Sequence, residues 1–284
     1  MKKIDVHVHL GKLLYSRPKL TTRDVLSMMD SLHVEKACIM AVDSPEELDY
    51  YVTSEQVLRA CKKHPDRLIP FCNIDPRHQE PVAHHKIPAL DPFPYIERFV
   101  EQGARGFGEV LVGLPLDDYR MLRIYDACGK LGLPILIHMD QYRGMDDVGL
   151  PRLEKMLQQF PDTVFITHAQ HWWSEISADI TEADFCDYPT RPVVPGGRAE
   201  LLLQRYKNIY ADLSANSGRN ALLRDPAFTP GFLERNQDKL LYGSDLVSRG
   251  QVLRNHEAID QINVDKKIKE KIYFRNSARL FKVK

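Results

Sequence analysis

The N-terminal segment places two histidines on one face of a predicted strand. Lys3-Ile-Asp-Val-His-Val-His9 alternates apolar with polar residues. Side chains alternate across a strand, so His7 and His9 point the same way, about 7 Å apart along it. Two imidazoles at a strand end can bind one metal ion. The alternative is a pair of incidental histidines on a half-exposed strand, so the interpretation depends on the rest of the chain.

Further side chains of metal-binding types end four other predicted strands. They are Glu109, His138, His168 and Asp245. His138 or His168 alone could be a hydrogen-bonded histidine inside the fold with no ligand. Six such side chains from five strands are much harder to explain by coincidence. They predict one metal site if the carboxyl ends of these strands meet.

Strand-like and helix-like segments alternate along the whole chain. The eight predicted strands are 3–9, 36–42, 68–74, 104–110, 134–138, 164–168, 209–213 and 240–245. Alternation over 284 residues predicts a parallel sheet, and eight repeats predict closure into a (β/α)8 TIM barrel of one domain, residues 1–284. The alternative is an open doubly wound sheet, but no G-x-G-x-x-G motif follows a predicted strand.

The composition excludes several classes of function. Lys+Arg and Asp+Glu number 39 each, so the formal net charge is zero and no nucleic-acid or membrane-surface partner is expected. No apolar run approaches the roughly 18 residues of a membrane span, and the N-terminus lacks the apolar core of a signal peptide. We therefore expect a cytoplasmic protein. The five cysteines form no C-x-x-C pair, which argues against a disulfide framework or a thiolate zinc site.

Taken together, these motifs resemble those of the amidohydrolase superfamily, over essentially the whole chain. The resemblance rests on four motifs: Asp5-Val-His-Val-His9, His138 after Pro134-Ile-Leu-Ile, His168 in Ile166-Thr-His-Ala, and Tyr242-Gly-Ser-Asp245. The segment Tyr273–Phe281 is similar to the C-terminal helix of the "amidohydrolase 2" branch. That branch contains relatives of aminocarboxymuconate-semialdehyde decarboxylase and metal-dependent hydrolases such as lactonases.

The resemblance implies roles for the strand-end residues. His7, His9, His138 and Asp245 would hold a divalent metal ion, with zinc expected and manganese as the alternative. Asp245 would also accept a proton from the attacking water. His168 would act as an acid/base group or as a ligand of a second ion. Two roles stay open for Glu109. As a direct ligand it would favour a hydrolytic site with one or two ions, and the alternative is an outer group hydrogen-bonded to a ligand histidine.

Loops after the strands are expected to contact the substrate. The main candidates are Trp172, Arg17 and Arg143, since an arginine can bind a carboxylate through two parallel hydrogen bonds. Further candidates are Tyr15, Gln141, Tyr142, His171, Trp173 and Arg249. The alternative for each is a solvated loop residue. The Trp172–Trp173 pair would either line the pocket or hold the segment 171–195 against the barrel.

Two other pairs of polar residues are given no catalytic role. His84 and His85 are adjacent in a predicted loop and are interpreted as surface residues. Asp212 and Ser214 end the seventh strand, where such side chains often cap helices or orient loops. The polar groups at the other strand ends are therefore the ones expected to perform chemistry.

The sequence favours a metal-dependent hydrolase of an amide, lactone or ester-like bond in a small molecule. The alternative is a non-oxidative, metal-dependent decarboxylase of a small aromatic or unsaturated carboxylic acid. A third possibility, a catalytically silent scaffold, conflicts with the intact ligand set, because buried polar groups without partners are costly. Members of the branch are often dimers, so a homodimer stays open, although the sequence shows no self-complementary patch.

Overall fold

The computed structural model describes residues 1–12, 17–44, 52–79 and 91–283. Within them lie eight strands, close to the eight that the sequence predicts. They are β1 Lys3–Val8, β2 Val34–Ile39, β3 Leu68–Cys72, β4 Gly106–Val110, β5 Ile135–His138, β6 Phe165–His168, β7 Ile209–Asp212 and β8 Leu240–Leu241.

The strands form one parallel sheet in chain order from β1 to β8. Hydrogen bonds then join the two ends of the sheet: the Val6 N–H donates to the Tyr242 carbonyl and the His9 N–H to the Leu246 carbonyl, both at 3.0 Å. A sheet in chain order that closes on itself is a barrel. The predicted (β/α)8 TIM barrel is therefore confirmed, and the open doubly wound alternative is wrong.

Helices connect successive strands, as parallel pairing requires. They are α1 Thr22–Ser31, α2 Ser54–Lys62, α3 Phe93–Glu101, α4 Tyr119–Leu131, α5 Pro151–Gln159, α6 Gln170–Ser174, α7 Arg198–Arg205, α8 Ala215–Leu223, α9 Thr229–Asn236, α10 Asn255–Gln261, α11 Lys266–Glu270 and α12 Asn276–Leu280. A π-helical turn, Lys271–Arg275, joins α11 to α12. No helix among the described residues is both long enough and apolar enough to cross a membrane.

The second helix begins later than the sequence suggests. A helix from Ser44 to about Lys63 is expected, but α2 begins at Ser54, where Thr53 forms a capping box with Gln56. Val42 and Val52 pair instead in an antiparallel bridge. Residues 45–51 lie outside the described part of the chain. Local capping chemistry at Thr53 therefore sets the start of α2.

Two apolar clusters hold the barrel and its helices together. The larger one packs strand residues against the helices and includes Val25, Ile124, Leu153 and Trp172. The smaller one takes residues from six strands together with Phe281, which follows the last helix. The barrel is thus a packed core, and strand-end side chains are held by rigid strands.

Asp146 caps α5 from outside the helix. Its carboxylate accepts hydrogen bonds from the backbone N–H groups of Arg152 at 3.0 Å and Leu153 at 2.8 Å. Asp146→Ala should therefore lower the free energy of unfolding by about 1–2 kcal/mol, measured by urea denaturation. The matched control is Asp147→Ala, because that side chain is 67% exposed and pairs with Arg152 at the surface. Equal losses in the two variants would contradict the capping role.

Candidate metal centre

Three elements bring metal-binding atoms together at the carboxyl end of the barrel. The Nε2 atoms of His7 and His9 lie 3.0 Å apart. One carboxylate oxygen of Glu109 lies 3.2 Å from each of these nitrogens. Asp245 Oδ1 lies 3.5 Å from His7 Nε2 and 3.4 Å from His9 Nε2. These four side chains, from β1, β4 and the segment after β8, therefore meet around one small volume.

Glu109 also contacts histidines on the other side of the barrel. Its second oxygen, Oε1, lies 2.9 Å from His138 Nδ1 and 3.9 Å from His168 Nε2. The carboxylate thus spans the space between the histidines of β1 and those of β5 and β6. This position is compatible with both roles left open by the sequence, a direct ligand and an outer group hydrogen-bonded to a histidine.

The donor atoms group differently from the set predicted by the resemblance. Two overlapping triads have ligand atoms within 4.8 Å of one another: His7 with His9 and Asp245, and His7 with Glu109 and His168. His138 belongs to neither triad. Its Nε2 lies 3.0 Å from Asp140 and its Nδ1 lies against Glu109. Among the described residues, the structure thus brings together three of the four predicted ligands and places the fourth behind Glu109.

Burial and neighbouring charges shift the pKa values of His7 and Glu109 in opposite directions. Burial disfavours the charged form of every group, yet the carboxylates of Glu109 and Asp245 raise the pKa of His7 well above its usual value. Against the same penalty, the His7 and His138 imidazoles hold the pKa of Glu109 well below its ordinary range. Burial and the nearby charge of His7 lower the pKa of His168 to about 4, so this ring is neutral at pH 7.

These residues fit a divalent metal ion. Imidazole nitrogen and carboxylate oxygen are the donors that zinc binds, and manganese also takes carboxylates. Buried carboxylates need a compensating positive charge. The neighbouring carboxylates raise the pKa of His7 and of His9, so protons on these imidazoles can provide that charge. A divalent cation between the same atoms would provide that charge while leaving the imidazoles neutral.

A family model described as "Amidohydrolase" matches residues 4–283, nearly the entire chain. The chain belongs to this amidohydrolase family. The predicted resemblance is thereby confirmed. Comparison with curated proteins finds no match.

Solved structures share the fold at low sequence identity. A probable 2-pyrone-4,6-dicarboxylic acid hydrolase from Acinetobacter baumannii, with citric acid bound, has a TM-score of 0.66 and 16% identity over 99% of this chain and 100% of that one. A 5-carboxyvanillate decarboxylase from Novosphingobium aromaticivorans, with manganese bound, has a TM-score of 0.62 and 15% identity over 99% of this chain and 97% of that one. A 2,6-dihydroxybenzoate decarboxylase from Rhizobium has a TM-score of 0.59 and 15% identity over 99% of this chain and 98% of that one. At such identities the likeness shows the fold alone.

Three polar residues of the centre were not assigned a role from the sequence. Asp140 accepts from His138 Nε2 and, at 3.1 Å, from Arg143 Nη1. Asp212 accepts from the Ser214 backbone N–H at 3.0 Å, as a residue that orients the loop would, but its other oxygen lies 2.8 Å from His7 Nδ1. Ser214 Oγ lies 3.0 Å from His168 Nδ1. The only sequence signal was position: each lies two residues or fewer from a strand end.

The predicted substrate-binding residues lie in different surroundings. Arg143 is at the rim, linked through Asp140 to His138. Trp172 is completely buried within the larger apolar cluster, and Trp173 is buried beside it with its indole N–H donating to the Asp212 carbonyl. This packing matches the second alternative for the pair, attachment of the segment 171–195 to the barrel. Arg17 is exposed.

The remaining candidates are mostly outside the centre. Tyr142 is 64% exposed, and Gln141 and Arg249 are also exposed. His171 is buried and stacks on Phe185 with ring centroids 3.5 Å apart. Tyr15, His84 and His85 lie outside the described residues. Arg143 is therefore the predicted substrate contact with the shortest route to the metal-binding side chains.

Proposed function

We propose that this protein is a metal-dependent, non-oxidative decarboxylase of a small aromatic or unsaturated carboxylic acid. The observation that carries the proposal is the link Arg143–Asp140–His138–Glu109, which joins a guanidinium to the metal-binding cluster at the same rim. A guanidinium recognises carboxylates through paired N–H groups. Decarboxylases among the structures of similar fold also support this reaction over the hydrolysis first favoured by the sequence.

The residues divide into an ion-binding group and a substrate-binding group. His7, His9 and Asp245 would hold the divalent ion, zinc or manganese, with Glu109 able to join them. When bound, such an ion acts as a Lewis acid toward substrate oxygens. Arg143, with its side chain 27% exposed, would hold the carboxylate of the incoming acid. The two groups would thus orient an anionic substrate across the barrel mouth.

The reaction also needs a proton at a defined place. Decarboxylation breaks the bond between the carboxylate carbon and its neighbour, releases CO2, and leaves the electron pair on that neighbour, which must then be protonated. His138 is suited to this step. Burial disfavours its charge, but Asp140 and Glu109 raise its pKa to about 9, and its side chain is 18% exposed. We assign His138 as the proton donor.

Hydrolysis of a lactone or related bond is the second candidate, and Glu109 favours it. This carboxylate lies within reach of His7 on one side and of His138 and His168 on the other, so it could contact two ions. Asp245, whose side chain is 22% exposed, would then accept a proton from water. The similar fold of a probable pyrone-dicarboxylic acid hydrolase is compatible with this reaction.

A substrate screen tests both reactions at once. Protein loaded with zinc or with manganese is incubated with hydroxylated benzoates, unsaturated acids and lactones, and both CO2 release and ring opening are measured. We expect CO2 release from at least one acid, and a loss of about 10²-fold or more in His138→Ala, since general acid catalysis typically contributes that much. The control His33→Asn removes an exposed imidazole and keeps a residue suited to its positive φ of 55°.

The outcomes separate the candidates. Ring opening without CO2 release would select hydrolysis. Metal-loaded protein that transforms neither class would contradict both reactions. The small-molecule substrate, a homodimer and a cytoplasmic location stay predictions of the sequence.

A further inference from the structure

One buried carboxylate contacts the histidines of two different strands. Asp212, at the end of β7, is completely buried. Its Oδ2 lies 2.8 Å from His7 Nδ1 and accepts a hydrogen bond of 2.6 Å from Ser214 Oγ. The same Ser214 oxygen lies 3.0 Å from His168 Nδ1. A continuous path of hydrogen bonds therefore runs from His7 through Asp212 and Ser214 to His168.

The directions of these bonds assign the proton on each ring. A serine hydroxyl has one hydrogen, and Ser214 gives it to the Asp212 carboxylate, which can only accept. Toward His168 the Ser214 oxygen is then an acceptor, so His168 Nδ1 carries a proton. The Asp212 carboxylate can likewise only accept from His7, so His7 Nδ1 also carries a proton. Both rings consequently turn their Nε2 atoms, which would be the ligand atoms of the neutral imidazoles, toward Glu109.

A glycine provides the space for this arrangement. A Cβ atom on Gly243 would lie 2.3 Å from Asp212 Oδ1 and 2.8 Å from Ser214 Cβ, which is too close for either to stay in place. Gly243 follows β8 and lies two residues before Asp245. The absence of a side chain here lets the Asp212 carboxylate occupy its position between the barrel strands.

We infer that Asp212 and Ser214 are positioning residues that couple His7 to His168, fixing both as Nε2 ligands of a shared metal centre. The inference rests on the metal site of the proposed function, but not on which reaction that site performs. Ser214 Oγ lies 3.2 Å from His7 Nδ1 and 3.0 Å from His168 Nδ1, and Asp212 Oδ2 lies 2.8 Å and 3.5 Å from the same two atoms. Both residues therefore contact both rings, but only Asp212 contributes a negative charge. Partners of this kind typically contribute 10- to 100-fold to metal affinity.

Metal affinity of the full-length protein is the direct test. Zinc dissociation constants are measured by competition with a chromophoric chelator for the wild type, Asp212→Asn, Ser214→Ala, the double variant and Gly243→Ala. We expect 10- to 100-fold weaker binding in Asp212→Asn and a smaller loss in Ser214→Ala. The double variant should lose less than the product of the two single losses, because Ser214 acts through the same path.

Gly243→Ala and a control variant separate positioning from folding. Gly243→Ala changes no polar group, yet it should weaken zinc binding by displacing Asp212. Asp146→Asn alters another buried aspartate, the cap of α5, and should change the thermal stability of the metal-free protein but not its zinc affinity. Imidazole nitrogen shifts in zinc-loaded protein should show protonated Nδ1 atoms on His7 and His168.

Four results would overturn the inference. Wild-type zinc affinity in Asp212→Asn would do so, and so would strictly multiplicative losses in the double variant. A zinc-affinity loss in Asp146→Asn equal to that in Asp212→Asn would show that general destabilisation explains the effect. If the wild type binds no divalent ion, the metal site itself is wrong and the inference fails with it. If metal binds but no substrate is turned over, only the proposed reaction fails.

Discussion

Replacing His7 with alanine is expected to reduce turnover about a thousandfold and to abolish tight metal binding. His7 is the one residue common to both triads of metal-binding atoms among the described residues. Lewis-acid stabilisation is worth several kcal/mol, and about 4 kcal/mol corresponds to a factor of 10³ in rate. The substitution also leaves the buried Asp212 carboxylate without its imidazole partner. Steady-state kinetics and metal content per chain are the measurements.

The variant His33→Asn is the matched control for the loss of one imidazole. His33 is exposed and lies at the turn between α1 and β2, next to the amino end of β2 rather than the carboxyl end. The His33→Asn variant should keep full activity and full metal content. Retention of metal by His7→Ala, or an equal loss in both variants, would contradict the central place given to His7.

Removal of the metal ion is expected to cause a large loss of thermal stability. Stripping the protein with a chelator should lower its Tm by about 10 °C relative to protein with the ion at roughly a thousand times its Kd, and adding the ion back should restore it. The reason is electrostatic: the carboxylates of Glu109 and Asp245 are held beside His7 and His9, whose protons alone would then balance the charge.

The effect of metal removal should depend on pH in a defined direction. His138 has its pKa raised to about 9, above the value of about 6.5 for an unfolded chain, and the pKa of His9 is also raised. A raised imidazole pKa contributes stability below about pH 6.5 that is lost as the pH rises toward 9. Metal-free protein should therefore lose stability between these pH values, and the Tm difference between metal-loaded and metal-free protein should be larger at pH 8 than at pH 6.

His7→Ala is also the control for this experiment, since a chelator should leave its Tm unchanged. If neither the chelator nor the added ion changes the Tm of the wild type, the metal site is contradicted. The number of ions per chain carries further information. Two ions, lost together in Glu109→Gln, would favour the hydrolytic candidate, whereas one ion would favour decarboxylation.

The sequence by itself determined the architecture and the residue types of the centre. Short apolar runs separated by helical or loop segments are a local property of the chain, so the eight strands could be predicted within a few residues. Parallel strands in chain order then place every strand end on one rim, which explains why His7, His9, Glu109 and Asp245 could be expected to meet. The helix expected from Ser44 begins only at Ser54, because Thr53 forms a capping box with Gln56 and Val52 pairs with Val42.

Only the tertiary structure decided which atoms face one another. Glu109 reaches histidines on both sides of the barrel, His138 turns toward Asp140, and Trp172 is buried in the core. Asp212 reaches His7, a residue 205 positions away. Such contacts depend on side-chain torsions and on strand stagger at the scale of an ångström. Spacing along the chain contains no such information, because these contacts are made between segments that only the closed barrel brings together.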